Sequence, residues 1–295
     1  MSRRTDNRHR VASICREATG LPHHTCLRWA ESGLITRHHP VPEAAHADQR
    51  SLEAEVLLTV ANRLQQAQVG GAVFGFVGAV PSLDGVALRV HPEMGRQVLA
   101  ALLPRLHNPL PGCHELRGVP GLRPTCEAAG VRLRSLRWGT ASVLLQHPDP
   151  AWARYLSEKA CWEHVWWHNP DRLHPGEEAQ LTPARGADAD RDRLLSRLLR
   201  RPGLVNAAGS AHGSANTYSR GSRELIIAWC CALEADELAR RLRRSGLLEP
   251  DEEDGAETAY GMHPGRLALG GAAVTVRRGT CATATAPIAT GAGPC

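Results

Sequence analysis

Between Val11 and Ile35 the apolar positions recur at helical spacing, break, and recur again. Val11, Ile14, Cys15 and Ala18 share one face of a first helix, and Gly20 supplies its C-terminal stop. Pro22 marks the start of a second helix carrying Thr25, Leu27, Arg28 and Trp29, which Gly33 closes. From Asp48 to Gln66 the positions Leu52, Val56, Leu57, Val60, Ala61 and Leu64 form a continuous stripe that predicts a third helix.

After Gln68 the rhythm turns extended, with Gly70 and Gly71 at the joint. A unit then recurs: a hairpin whose second strand runs into an amphipathic helix. The first unit is VFGFVGAV, a turn over Ser82 to Gly85, the strand VALRV, His91-Pro92 and a helix to about Leu106. The second is VRLRSLRW, ASVLLQ, His147-Pro148 and a helix through Trp152 and Leu156. A third is ANTYSRGSRELIIAWCC with a helix from about Glu234 to Arg244, and a last hairpin, RLALGGAAVTVRR, lacks its helix. A β-β-α unit cannot bury its apolar side alone, so the expected class is α+β: an N-terminal helical module, then repeated β-β-α units forming an antiparallel sheet with helices on one face. HNPLPGCHELRGVPGLRPTCEAAG, between the first two units, reads as a surface loop. In DRDRLLSRLLRR, Leu194, Leu195, Leu198 and Leu199 are expected inward and Arg191, Arg193, Arg197, Arg200 and Arg201 outward.

These patterns divide the chain into a flexible basic arm (1–10), a helical module (11–68), a first α+β body (69–168), a linker (169–190), a second body (191–279) and a flexible tail (280–295). With 295 residues the chain can bury one large core or two ordinary ones. Lys159 is the only lysine among many arginines, and alanine and glycine abound, which reads as the codon bias of a GC-rich bacterial genome. Arginine abundance is therefore weak evidence for nucleic-acid binding, and the net charge of +5 is mild. No apolar run is long enough for a membrane span and no apolar segment follows the basic N-terminus, so a cytoplasmic protein is expected. Nine irregularly spaced cysteines fit reduced, buried residues better than a disulfide framework.

Thr25, Arg28, Trp29, Gly33, Leu34 and Ile35, spaced T-x-x-R-W-x-x-x-G-L-I, resemble the second helix of the MerR and excisionase type of helix-turn-helix. The resemblance covers roughly 55 residues if the helix from Asp48 belongs to it. It implies that His23, His24, Thr25 and Arg28 face the major groove while Leu27, Leu34 and part of Trp29 fix the helix to its partner. The pattern departs from that family at TRHHPVPEAAHA, where the family places a β-hairpin wing; Arg37, His38 and His39 are left to meet phosphates. DNA is the partner expected, bound by a homodimer, since a single module of this size gives weak specificity.

Two rival readings stay open. In one, the helical pair is structural and the protein is a non-enzymatic interaction or scaffold protein. In the other, Cys161, His164 and His168, which share a helical face in KACWEHVWWHN, hold zinc or serve a cysteine-dependent enzyme. No phosphate-binding glycine motif, G-x-S-x-G or H-E-x-x-H occurs, so no catalytic residue and no cofactor is assigned. His91 and His147, each before a proline at a strand-to-helix joint, read as capping or packing residues.

Overall fold

The computed structural model describes residues 2–64, 71–110, 113–149, 151–152, 154, 156, 170–181, 188–208, 215–229, 233–248 and 265–278. It is a mixed α+β structure. Helices α1 (Ser2–Thr19), α2 (His23–Glu31) and α3 (Ala47–Arg63) come first, followed by β1 (Phe76–Pro81), β2 (Val86–Val90) and α4 (Gly95–Leu102). Strands β3 (Arg105–Leu110), β4 (Cys113–Arg117), β5 (Leu122–Glu127), β6 (Gly130–Ser135) and β7 (Ser142–Gln146) succeed them. Helices α5 (Pro175–Gln180), α6 (Ala189–Leu199) and α7 (Pro202–Ala208) then lead into β8 (Ala215–Arg220), β9 (Glu224–Trp229), α8 (Ala235–Arg244), β10 (Arg266–Leu269) and β11 (Ala272–Arg278).

The main sheets share a plan. One has the order β1-β2-β7-β6-β5 and the other β10-β11-β9-β8, with β3 and β4 forming a separate ribbon. In each main sheet two antiparallel hairpins meet through their second strands, and that central pairing is parallel: Val86 opposite Val143 in β2 and β7, Leu225 opposite Val274 in β9 and β11. This corrects the expectation of an antiparallel sheet throughout. Parallel strands need a long crossover, and the chain between β2 and β7, or between β9 and β11, supplies one. The helices following β2 and β9 are α4 and α8; the one expected after β7 lies largely outside the described residues.

Three further stretches differ from the sequence reading. Residues 3–10, read as an arm, belong to α1, because arginine favours helix and no breaker stands between Ser2 and Thr19. The presumed surface loop contains β3, β4 and β5. The presumed linker holds α5, whose buried Glu177 pairs with buried Arg123 on β5 at 2.8 Å. The tail lies outside the described residues.

One apolar core runs through both sheets and the helices between them, and α3 against α6 is its seam: Leu52, Leu57, Val60, Leu194 and Leu198 are wholly buried. Four of the five arginines expected outward, in α6 or just after it, are buried as well: Arg191, Arg197, Arg200 and Arg201, with Arg193 half-buried. The leucines do point inward, but partners enclose the opposite face too, so a polar lattice takes the place of solvent. Arg200 spends all its donors there, on Glu53 Oε1 and Oε2 at 2.6 and 2.7 Å and on the carbonyls of Pro42, Ser82 and Gly85. Glu53 also accepts from Gln49 and Ser196 at 2.7 Å, so the buried charge is fully paired.

Candidate nucleic-acid interface

The helical pair at the N-terminus is built from short-range rules. Gly20 leaves α1 at φ +71°, its N–H donating to the Arg16 carbonyl at 2.8 Å. Pro22, extended at φ −59° and ψ 142°, precedes α2. Gly33, at φ +78°, ends it, with the N–H groups of Leu34 and Ile35 folding back onto the Trp29 carbonyl. The inner faces make a small core of their own from Val11, Ala12, Cys15, Leu21, Cys26 and Ile35. Leu27, Trp29 and Ala30 pack at its margin with Val80 of β1.

Cys15 and Cys26 meet across this seam. Their hydrogen bond, then burial, pushes the Cys15 thiol far above its ordinary range, and the same bond draws Cys26 below its own. Cys15 thus stays protonated and packs as a small apolar residue. In contrast, Cys126 is exposed.

The pair is fastened to the body at its turn. Arg89 of β2 reaches over Gly78, where a side chain would collide with the guanidinium, and donates to the Gly20 carbonyl at 2.5 Å. Nothing in the sequence links residues 69 positions apart, so this anchor had no readable signal. A second fastening is the ion pair of Glu17 on α1 with Arg241 on α8, at 2.9 Å.

The five residues proposed from the sequence fall as follows. His24 and Arg28 are exposed one helical turn apart on α2, and Glu31 and Ser32 continue the same stripe. Thr25 is half-buried. His23 is also half-buried and stacks on His9 of α1, ring centroids 5.7 Å apart. Arg37 is exposed in a compact turn in which Thr36 N–H donates to the His39 carbonyl and His39 N–H to Thr36 Oγ1, at 3.0 and 3.1 Å, leaving Arg37 and His38 at its tip. Arg28 has no ion pair among the described residues, and no strand is formed between Ile35 and His46. Arg8, His9, Arg10 and Arg16 of α1 are exposed too.

Elsewhere, the two His-Pro joints lie side by side because β2 and β7 run parallel. His147 approaches the Pro92 carbonyl at 2.8 Å and stacks on Trp152, which is a packing role. Cys161, His164 and His168 lie outside the described residues; among the described ones no group of histidines, cysteines and carboxylates is arranged to hold a metal. A polar cleft of about 320 Å³ opens between α3 and the β8–β9 turn, lined by Glu55, Thr59, Asn62, Arg191 and Ser219 among others. Its charged side chains are paired, Arg191 with Glu55 at 3.3 Å and Arg63 with Glu115 at 3.5 Å. No described helix is long and apolar enough to cross a membrane. No family model, curated protein or solved structure matches this chain.

Proposed function

We propose that this chain is a DNA-binding protein, a cytoplasmic transcriptional regulator in which a helix-turn-helix of the MerR and excisionase type reads the major groove and the α+β body, with its repeated strand plan, serves self-association or ligand binding. The observation that carries this reading is the division of α2. Cys26, Trp29 and Ala30 turn to the small core, while His24 and Arg28 stand outward one turn apart with no ion-pair partner among the described residues. A helix held along its inner side and bare along its outer side is what groove entry requires. Arg28 contacts a base edge or phosphate in this mechanism, His24 and the hydroxyl of Thr25 lie beside it, and Arg37 adds salt-dependent affinity from the turn that follows. Binding as a homodimer supplies a second half-site.

The test is gel-shift binding to genomic fragments at two salt concentrations, wild type beside Arg28→Ala. Selective binding that the substitution abolishes is the expected result; fragment-blind binding indifferent to Arg28 would refute it. One observation favours a second reading, an interaction protein without DNA: Leu34, which the family resemblance turns inward, is 41% exposed next to the same stripe. Absence of all DNA binding with retention of a protein partner would establish that alternative.

A further inference from the structure

Helix α8 belongs to the second half of the chain but ends against the N-terminal module. Its C-terminal turn, Ser245 and Gly246, lies on the segment that follows α2: a Cβ on Gly246 would stand 3.0 Å from the His38 carbonyl oxygen and 3.1 Å from Pro40 Cδ. Together with the Glu17–Arg241 ion pair, this sets the last turn of α8 beside the turn that bears Arg37 and His38.

That last turn carries Arg243 and Arg244, both exposed. Cations at a helix C-terminus ordinarily serve the helix itself, through the partial negative charge of its unpaired carbonyls. Here the N–H groups of Ser245, Leu247 and Gly246 fold back onto the carbonyls of Arg241, Leu242 and Arg243, and the turn itself is held from inside. Buried Arg201 donates to the carbonyls of Ser245 at 2.9 Å and Gly246 at 3.0 Å and to Ser245 Oγ at 3.0 Å. Burial, chiefly, pushes the Arg201 guanidinium down to about 9, so it is still a cation at neutral pH and adds positive potential behind the turn. The nearby carboxylates among the described residues are spoken for: Glu17 and Glu237 by Arg241 at 2.9 and 2.6 Å, and Glu43 by Arg197 at 2.9 Å. Arg243 and Arg244 thus extend the exposed cationic surface of Arg37 onto the body, with no counter-ion among the described residues.

We infer that Arg243 and Arg244 contact the phosphate backbone of the same duplex that α2 enters, so that the body itself forms part of the nucleic-acid surface. This rests on the DNA-binding reading above. Contacts of this kind carry no sequence information but release counterions, and each one steepens the salt dependence by about one unit in the slope of log K against log salt.

The test compares the full-length wild type, Arg28→Ala, Arg243→Gln/Arg244→Gln and Arg243→Lys/Arg244→Lys on one bound genomic fragment and one unrelated fragment across a salt series, with thermal melting as a check of folding. The glutamine variant should weaken binding equally on both fragments and flatten the slope by about two. The lysine variant should restore most of that slope, which a merely structural effect would not allow. An unchanged slope in the glutamine variant, or a loss that lysine does not restore, overturns the inference while leaving a wild type that binds and an Arg28 variant that does not. A wild type that binds neither fragment overturns both.

Discussion

At the scale of single residues, the arginines in and just after α6 show how far chemistry can depart from pattern. Arg200 is wholly buried, bidentate on Glu53, and at the same time ties together the carbonyls of Pro42, Ser82 and Gly85. Replacing it with methionine strands the Glu53 carboxylate and those oxygens in a low-dielectric seam, and breaking a buried pair from one side costs about 3–5 kcal/mol. Arg200→Met should lower the denaturant midpoint accordingly, and Arg200→Lys should fall well short of rescue, since an ammonium cannot span a planar five-donor site. A midpoint within experimental error of wild type for either would contradict the lattice. Little of this was legible in the sequence. The stripe of Leu194, Leu195, Leu198 and Leu199 identifies the inner face correctly, but whether arginines opposite that face meet water or Glu53, which is 147 positions away, is decided by tertiary packing.

At the scale of elements, legibility follows how local the cause is. Gly20, Pro22 and Gly33 mark the ends of α1 and α2 because φ and donor rules act within a few residues, and the exposure of His24 and Arg28 follows from helical spacing alone. The parallel joints of β2 with β7 and β9 with β11 leave no such local trace. α5 does carry a local signal, Pro175 in its first turn and Glu177 closing a capping box with His174, but its place in the fold is set at long range by that same carboxylate. Glu177 receives Arg123 at 2.8 and 3.0 Å and the N–H groups of Gly121 and His174 at 2.7 and 2.8 Å. Burial alone raises its pKa, but the bonds from Arg123 and the two N–H groups, with the charge of Arg123, outweigh that and leave it below the ordinary carboxylate value. A depressed carboxyl favours folding above the unfolded-state pKa of about 4.3, and the contribution fades as pH falls through the lower folded-state value. Amide exchange of residues 173–181 should therefore rise below about pH 4. Glu177→Gln should show fast exchange there already at neutral pH and no added acid step; protection equal to wild type would sink the assignment.

At the scale of the whole molecule, the two main sheets repeat one arrangement, hairpin joined to hairpin through a parallel centre, yet they do not stand as separate bodies. α3 touches β7 of one sheet and β8 of the other, α6 lies on β10 and β11, and the two helices form the most extensive contact between elements of the described chain. Each sheet thus has its apolar cover supplied by a seam that both share. Such a core has no plane along which half of it can unfold while the other half keeps its burial. Leu57→Ala on α3 removes a fully buried side chain from that seam and should cost about 2–5 kcal/mol, depending on how far the cavity collapses. The loss should appear equally in the amide protection of Leu88 on β2 and Ile227 on β9, although Leu57 precedes one by 31 residues and the other by 170. If the β2 amide weakens and the β9 amide does not, or if denaturant resolves two transitions, the halves fold independently. Because the helical pair is anchored to this body through Arg89 and Arg241, coupled unfolding would also release α2 from the support that presents His24 and Arg28, linking the stability of a distant seam to the proposed interface.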